Sequence, residues 1–108
     1  SRAVKVANHI YVTGTVGANA DGTYSPEMGA QARRSLLIIE AALNAVGAEL
    51  KHVVRTRMYV KDVSRWQEVA EVHGDLFRGI RPATTIVEVA RLIDEEALIE
   101  IEADAYLP

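Results

Sequence analysis

The chain has 108 residues, a formal net charge of −3 and no cysteine. Disulfides, thiolate catalysis and cysteine-based zinc sites are therefore excluded, and interspersed acids and bases give no general attraction to nucleic acid or anionic membrane. No apolar run approaches the ~20 residues of a membrane-spanning helix. Ser1 to Lys5 lack the apolar stretch of a signal peptide, so a cytoplasmic location is expected. The length suits one domain over residues 1–108. With aromatics at 6%, aliphatic side chains must form its core.

In chain order, Val4 to Thr13 reads as a hairpin turning at Asn8-His9. Gly17 to Ser25 carries loop signals, including Asp21-Gly22 and Ser25-Pro26. Ser25-Pro26-Glu27 predicts a helix start, with Ser25 as the cap and Pro26 at the first helical position. Met28, Ala32, Leu36, Ile39, Leu43 and Val46 then draw one apolar stripe, and Gly47 is the stop. Val53 to Lys61 predicts a strand, with Val54, Thr56, Met58 and Val60 on one face and Val53, Arg55, Arg57, Tyr59 and Lys61 on the other. Ser64 with Gln67 predicts a capping box for a second helix, whose stripe is Trp66, Val69, Ala70, His73, Leu76 and Phe77. Gly79 and Pro82 end it. Thr84 to Ala90 is strand-like, Asp94-Glu95-Glu96 is a turn, and Leu98 to Tyr106 is the last strand. In that strand Ile99, Ile101, Ala103 and Ala105 oppose Glu100, Glu102 and Asp104.

The expected fold is α/β of the α+β kind, in the order β-β-α-β-α-β-β. Right-handed crossovers place both helices on one face of a mixed sheet. The other face then carries Arg55, Arg57 and Tyr59 beside Glu100 and Glu102. Self-association would cover it. The plain alternative is a solvated polar face.

Chemistry-bearing residues are sparse. His9, His52 and His73 show no metal-ligand spacing, and each reads as structural. No phosphate loop, nucleophile elbow or His-Glu-x-x-His pattern occurs. Glu88 lies within Thr-Ile-Val-Glu-Val-Ala and Glu100 within Ile-Glu-Ile-Glu. A carboxylate on a strand face must be solvated, paired with arginine, or part of a site. Arg55, Arg57 and Arg91 are the candidate partners.

The stretch Arg81-Pro82-Ala83-Thr84-Thr85-Ile86-Val87-Glu88-Val89-Ala90-Arg91-Leu92, followed by Ile99-Glu100-Ile101-Glu102, closely resembles the signature of the RidA/YjgF family. These are the reactive-intermediate deaminases, also known as L-PSP endoribonucleases or translation inhibitors. Val4 to Thr15, Gln31 to Leu36 and Val53 to Asp62 resemble its opening hairpin, first helix and central strand. The resemblance implies a chorismate-mutase-like fold assembled as a homotrimer. Ligand clefts would lie between subunits, and no metal or organic cofactor would be needed. It also implies hydrolysis of 2-imino acids to 2-keto acids and ammonia.

Residue by residue, the resemblance makes Glu100 the catalytic candidate, a general acid or base acting through water. Gly14, Thr15, Phe77, Thr84 and Thr85 become ligand-binding candidates. Active deaminases carry an arginine two residues after the signature proline, as a bidentate carboxylate fork. Here that position is Thr84, and Thr15 follows Gly14 where the deaminases have glutamine. The family's substrate-covering N-terminal aromatic has no counterpart among these residues, and the loop from Phe77 to Pro82 is shorter. Arg81 lies before Pro82, with no reason in the sequence to place it in the same cleft. Three functions are compatible with this pattern. One is an imine-type hydrolase or deaminase that is poor on 2-aminoacrylate, with a substrate gripped by Arg55 or Arg57 or lacking the carboxylate. The second is a non-catalytic trimer binding a small metabolite. The third, a ribonuclease or translation inhibitor, is disfavoured by the acidic balance and the lack of a basic stripe.

Overall fold

The computed structural model describes all 108 residues. Its strands are β1 (Ala3–Val6), β2 (His9–Val16), β3 (Val53–Val60), β4 (Ala83–Glu88) and β5 (Ile99–Tyr106). Its helices are α1 (Met28–Ala45) and α2 (Trp66–Phe77), each near a short 3-10 turn, Leu50–His52 and Val63–Arg65. The strands order β1-β2-β5-β3-β4, with only β3 and β4 parallel. This is the expected mixed sheet. Helix α1 carries the chain from β2 over β5 to β3, and α2 is the crossover between the parallel neighbours.

Both helices pack on one side of the sheet, but the α2 stripe is corrected: Val69 and Phe77 are buried, Trp66 and Ala70 are exposed, and Val72 turns inward instead. Met28, Ala32, Leu36, Ile39 and Leu43 of α1 and Val69, Val72 and Phe77 of α2 join Ile10, Val12, Met58, Val60, Ile99 and Ile101 in one core. Burial of such aliphatic side chains contributes on the order of 1.5–3 kcal/mol each. The buried Gln31 fastens the loop before β5. Its amide nitrogen donates to the Ser25 and Glu96 carbonyls at 2.8 and 3.1 Å, and its oxygen accepts from the Leu98 amide at 2.8 Å.

Several local expectations are corrected. The hairpin turns at Ala7-Asn8, and His9 is the first residue of β2. Helix α1 starts at Met28 and not at Pro26, although Ser25 Oγ still accepts from the Glu27 amide at 3.2 Å. The Ser64–Gln67 capping box does not form. Instead Asp62 accepts from the Ser64 amide and hydroxyl, because a 3-10 turn precedes the helix and shifts its start to Trp66. The faces of Val53 and Val54 are exchanged by a register shift before Arg55. Val53 is buried and Val54 is half exposed, while the assignment from Thr56 onward holds.

Gly17 packs directly on the main chain of Gln31, and an added Cβ would collide with the Gln31 carbonyl. That backbone cannot yield as a flexible side chain would. Gly17→Ala is expected to cost roughly 1–3 kcal/mol, read as a drop in thermal midpoint of at least about 4 °C. An unchanged midpoint would contradict this packing.

Candidate functional site

The site candidates divide between the two sides of the sheet. A register shift between Val12 and Thr15 breaks the β2–β5 ladder, which resumes as Thr15↔Ile101 and Val16↔Glu100. Gly14 sits in that irregularity against the Glu100 carboxylate, and a Cβ there would strike Glu100 Oε2. Glycine is therefore the residue that leaves the Glu100 carboxylate its place. Glu100 points away from the helices and makes no ion pair. The irregularity turns Thr15 inward, which corrects its assignment to a ligand. Thr15 is buried, and its hydroxyl donates to the Thr13 carbonyl at 2.8 Å while accepting from Arg2 at 3.2 Å.

Some of the charges on the same open face pair with one another. Arg57 lies 3.5 Å from Glu102 and 3.3 Å from Asp104, and the Tyr59 hydroxyl donates to Glu102 at 2.7 Å. The bond to Glu102, with burial and the carboxylate charge behind it, raises the Tyr59 pKa. Arg57 is thus committed to carboxylates. Around these charges Val4, Val6, Tyr11, Val87 and Tyr106 are each more than two-fifths exposed. Glu88 leaves the site altogether: its carboxylate accepts from the Val63 amide at 2.9 Å and pairs with no arginine.

Thr84 and Phe77 lie on the helix side. Parallel pairing sets Thr84 against Thr56 and Ile86 against Met58. Thr85 pairs with Arg57 and projects oppositely. Thr84 Oγ1 is 3.1 Å from Thr56 Oγ1, which is 2.9 Å from His73 Nε2. Thr84 also donates to the Pro82 carbonyl at 3.1 Å. A carbonyl only accepts, so all three contacts are made only if the protons run one way. His73 Nε2–H donates to Thr56, Thr56 to Thr84, and Thr84 to Pro82. Thr56 is wholly buried, so leaving this chain unmade would be costly. The ring of Phe77 lies 4.5 Å from that of His73.

This chain of hydroxyls walls an open cleft of about 510 Å³ formed by His73, Gly74, Phe77, Arg78, Arg81, Pro82 and Thr84, with Gly79 at its rim. An apolar slot of about 210 Å³ adjoins it, lined by Met58, Trp66, Ala70 and Ile86 and sharing His73, Gly74 and Thr84. Sequence reading missed His73 and Thr56 as site residues. The available signal was the β-α-β crossover: it sets Thr56 and Thr84 on neighbouring parallel strands with the His73 helix above. No group of histidines and carboxylates is arranged to hold a metal ion, and no helix is long and apolar enough to cross a membrane.

Two helices on one side of a mixed five-stranded sheet define a chorismate-mutase-like α+β protein. A family model described as endoribonuclease L-PSP matches residues 1–107. A RutC family protein of Pyrococcus abyssi is 35% identical over 108 residues, covering 98% of this chain and 84% of that protein. The 2-iminobutanoate/2-iminopropanoate deaminase of Escherichia coli K12 is 34% identical over 106 residues, covering 94% and 82%. The crystal structure of a YjgF/YER057c/UK114 family member from Mycobacterium tuberculosis superposes with a TM-score of 0.91 at 49% identity, covering 98% of this chain and 85% of that one. The E. coli YjgF gene product gives 0.91 at 33%, covering 97% and 85%. The chain belongs to the RidA/YjgF family.

Burial holds the His73 pKa below its ordinary 6.5. Between the depressed folded value and 6.5 the unfolded chain binds the extra proton, so stability falls as pH drops through that window. Asp62 and Glu68, held down chiefly by hydrogen bonds from Ser64 and Arg65, act in the same direction below their ordinary 3.8 and 4.5. The urea midpoint should therefore fall from pH 7.5 to pH 5.5, and His73→Asn should flatten that fall. An equal slope in both proteins would contradict the assignment.

Proposed function

We propose that this protein is a homotrimer whose open sheet faces turn inward, with small-molecule clefts where one copy meets the next. The observation that carries this reading is the division of the site within one chain. Glu100 and Gly14 stand on the open face, and Phe77 and Thr84 on the other side of the sheet. A ligand touching both sets needs a second copy. The apolar and aromatic residues around the paired charges of the open face support such contact. Light scattering should return three times the 11.8 kDa chain mass. A monomer at micromolar concentration would remove the basis for the clefts.

The reaction proposed is hydrolysis of an imine-type metabolite. The Glu100 carboxylate takes a proton from water as its oxygen attacks the C=N carbon. It returns that proton to the imine nitrogen, giving a carbinolamine. It then takes the carbinolamine hydroxyl proton as C=O forms and passes it to the departing nitrogen, so that a carbonyl compound and ammonia leave. The deaminase among the relatives supports this chemistry. Thr84, neutral and bonded inward, supplies no carboxylate fork, and 2-aminoacrylate and 2-iminopropanoate are too short to fill the adjoining apolar slot, so both are poor substrates. The test is ammonia release from a panel of imines generated in situ by an amino-acid oxidase. Glu100→Gln should lower kcat by about 10²–10⁴-fold. No turnover of any imine, or turnover indifferent to Glu100, would sink the catalytic reading. Rapid turnover of 2-aminoacrylate would sink the specificity claim.

The second reading is a metabolite-binding trimer without catalysis. It is favoured by the same inward hydroxyl chain, which offers the cleft no proton donor from Thr84. Ligand-induced thermal stabilisation without imine turnover would decide for it.

A further inference from the structure

We propose that Arg81 is the anion anchor of the cleft between α2 and β4, and that its ligand is a small carboxylic acid with an apolar tail. This rests on the reading that the cleft holds a small molecule, and adds which group holds it and what that molecule carries.

Elimination leads to Arg81. The Thr84 hydroxyl proton goes to the Pro82 carbonyl, and the His73 Nε2 proton goes to Thr56. Neither is offered to a ligand. Among the lining residues only Arg78 and Arg81 carry charge. Arg78 is held 3.6 Å from Asp75 and is largely solvated. The Arg81 guanidinium has no ion pair and no hydrogen bond within the chain. A guanidinium is a fork that binds carboxylate through two parallel hydrogen bonds.

The backbone supplies an independent observation. Arg81 has φ +56°, in the left-handed region, where a residue with a Cβ is strained. It also precedes a proline, which disfavours compact conformations further. The strain arises where the chain reverses after α2. Gly79 is left-handed at φ +81°, and the Ile80 and Arg81 amides both donate to the Phe77 carbonyl, at 2.9 and 3.1 Å. Glycine would relieve the strain at residue 81, yet an arginine stands there, on the wall that also carries Thr84. A non-glycine residue held in this region at a cleft is a recognised mark of function.

The adjoining slot selects the rest of the ligand. Met58, Trp66, Ala70 and Ile86 line it, and it meets the charged cleft at His73, Gly74 and Thr84. Inorganic phosphate would leave this apolar surface wet. A carboxylate on a short branched chain places its charge at Arg81 and its methyls against Trp66 and Ile86.

The experiment is a titration of the full-length protein with isovalerate, isovaleramide and inorganic phosphate, followed by amide NMR and the Trp66 indole signal. Isovalerate should bind saturably, moving the Gly74 and Thr84 amides and the Trp66 indole. Isovaleramide and phosphate should each bind at least about tenfold more weakly, the scale of one charged hydrogen bond. Arg81→Gly and Arg81→Ala should both lose isovalerate binding by that factor, and Arg81→Gly should melt no lower than Arg81→Ala, because glycine adopts the left-handed conformation freely. Unchanged affinity in Arg81→Gly, or equal binding of the amide, overturns the anchor. Equal binding of phosphate overturns the apolar-tail specificity. Absence of isovalerate binding alongside Glu100-dependent imine turnover overturns this inference alone. Absence of both removes the small-molecule reading with it.

Discussion

The pairing of Thr56 with Thr84 across the only parallel strand pair is the constraint on which the cleft depends. It fixes which way β4 presents its side chains. Thr84 turns under α2, where the His73 imidazole and the Thr56 hydroxyl receive it, while Thr85 takes the open face. A slip of one residue would exchange the two threonines and break the hydroxyl chain. It would also withdraw Ile86 from the slot beside Met58. The register thus couples the packing of α2 to the chemistry of its cleft. Burial disfavours the charged form of His73, which leaves the arginines as the cations of the cleft.

The opposite face is built on a different balance. Arg57, Tyr59, Glu102 and Asp104 pair with one another across β3 and β5, one guanidinium and one hydroxyl serving two carboxylates. Glu100 stands outside that network, kept against Gly14 by the irregularity in β2. The same sheet therefore carries a carboxylate on one face and a guanidinium beyond its β4 edge, and the association proposed above would bring such groups together.

Much of the fold was legible in the sequence. Period-2 alternation in Ile99 to Ala105 and the 3.6-residue stripe from Met28 to Leu43 are strong because burial enforces them. What escaped was set by single residues acting at a distance. The β3 register shift moved Val53 into the core, and the β2 irregularity buried Thr15. The β3 shift leaves no local sequence mark, since it answers to a partner strand far along the chain, whereas the β2 irregularity is marked by Gly14, a glycine within the strand. The Ser64 cap failed because Asp62 competes for the same amide. Among the candidate residues, Glu100 and Gly14 were named from the family resemblance, and in the structure they lie against each other. Arg81 escaped because a residue before proline is expected to be extended. Its left-handed backbone is the departure that puts it on the cleft wall beside Thr84.

The central claim is that one working site takes Glu100 from one copy and the Arg81 cleft from another. Mixed assembly tests it directly. Glu100→Gln and Arg81→Gly chains are each refolded alone and then together, and imine hydrolysis is measured at equal total protein. Shared sites predict that the mixture regains activity well above the sum of the two single variants, because some sites then receive both native residues. Activity no greater than that sum would show that the two residues do not meet across an interface.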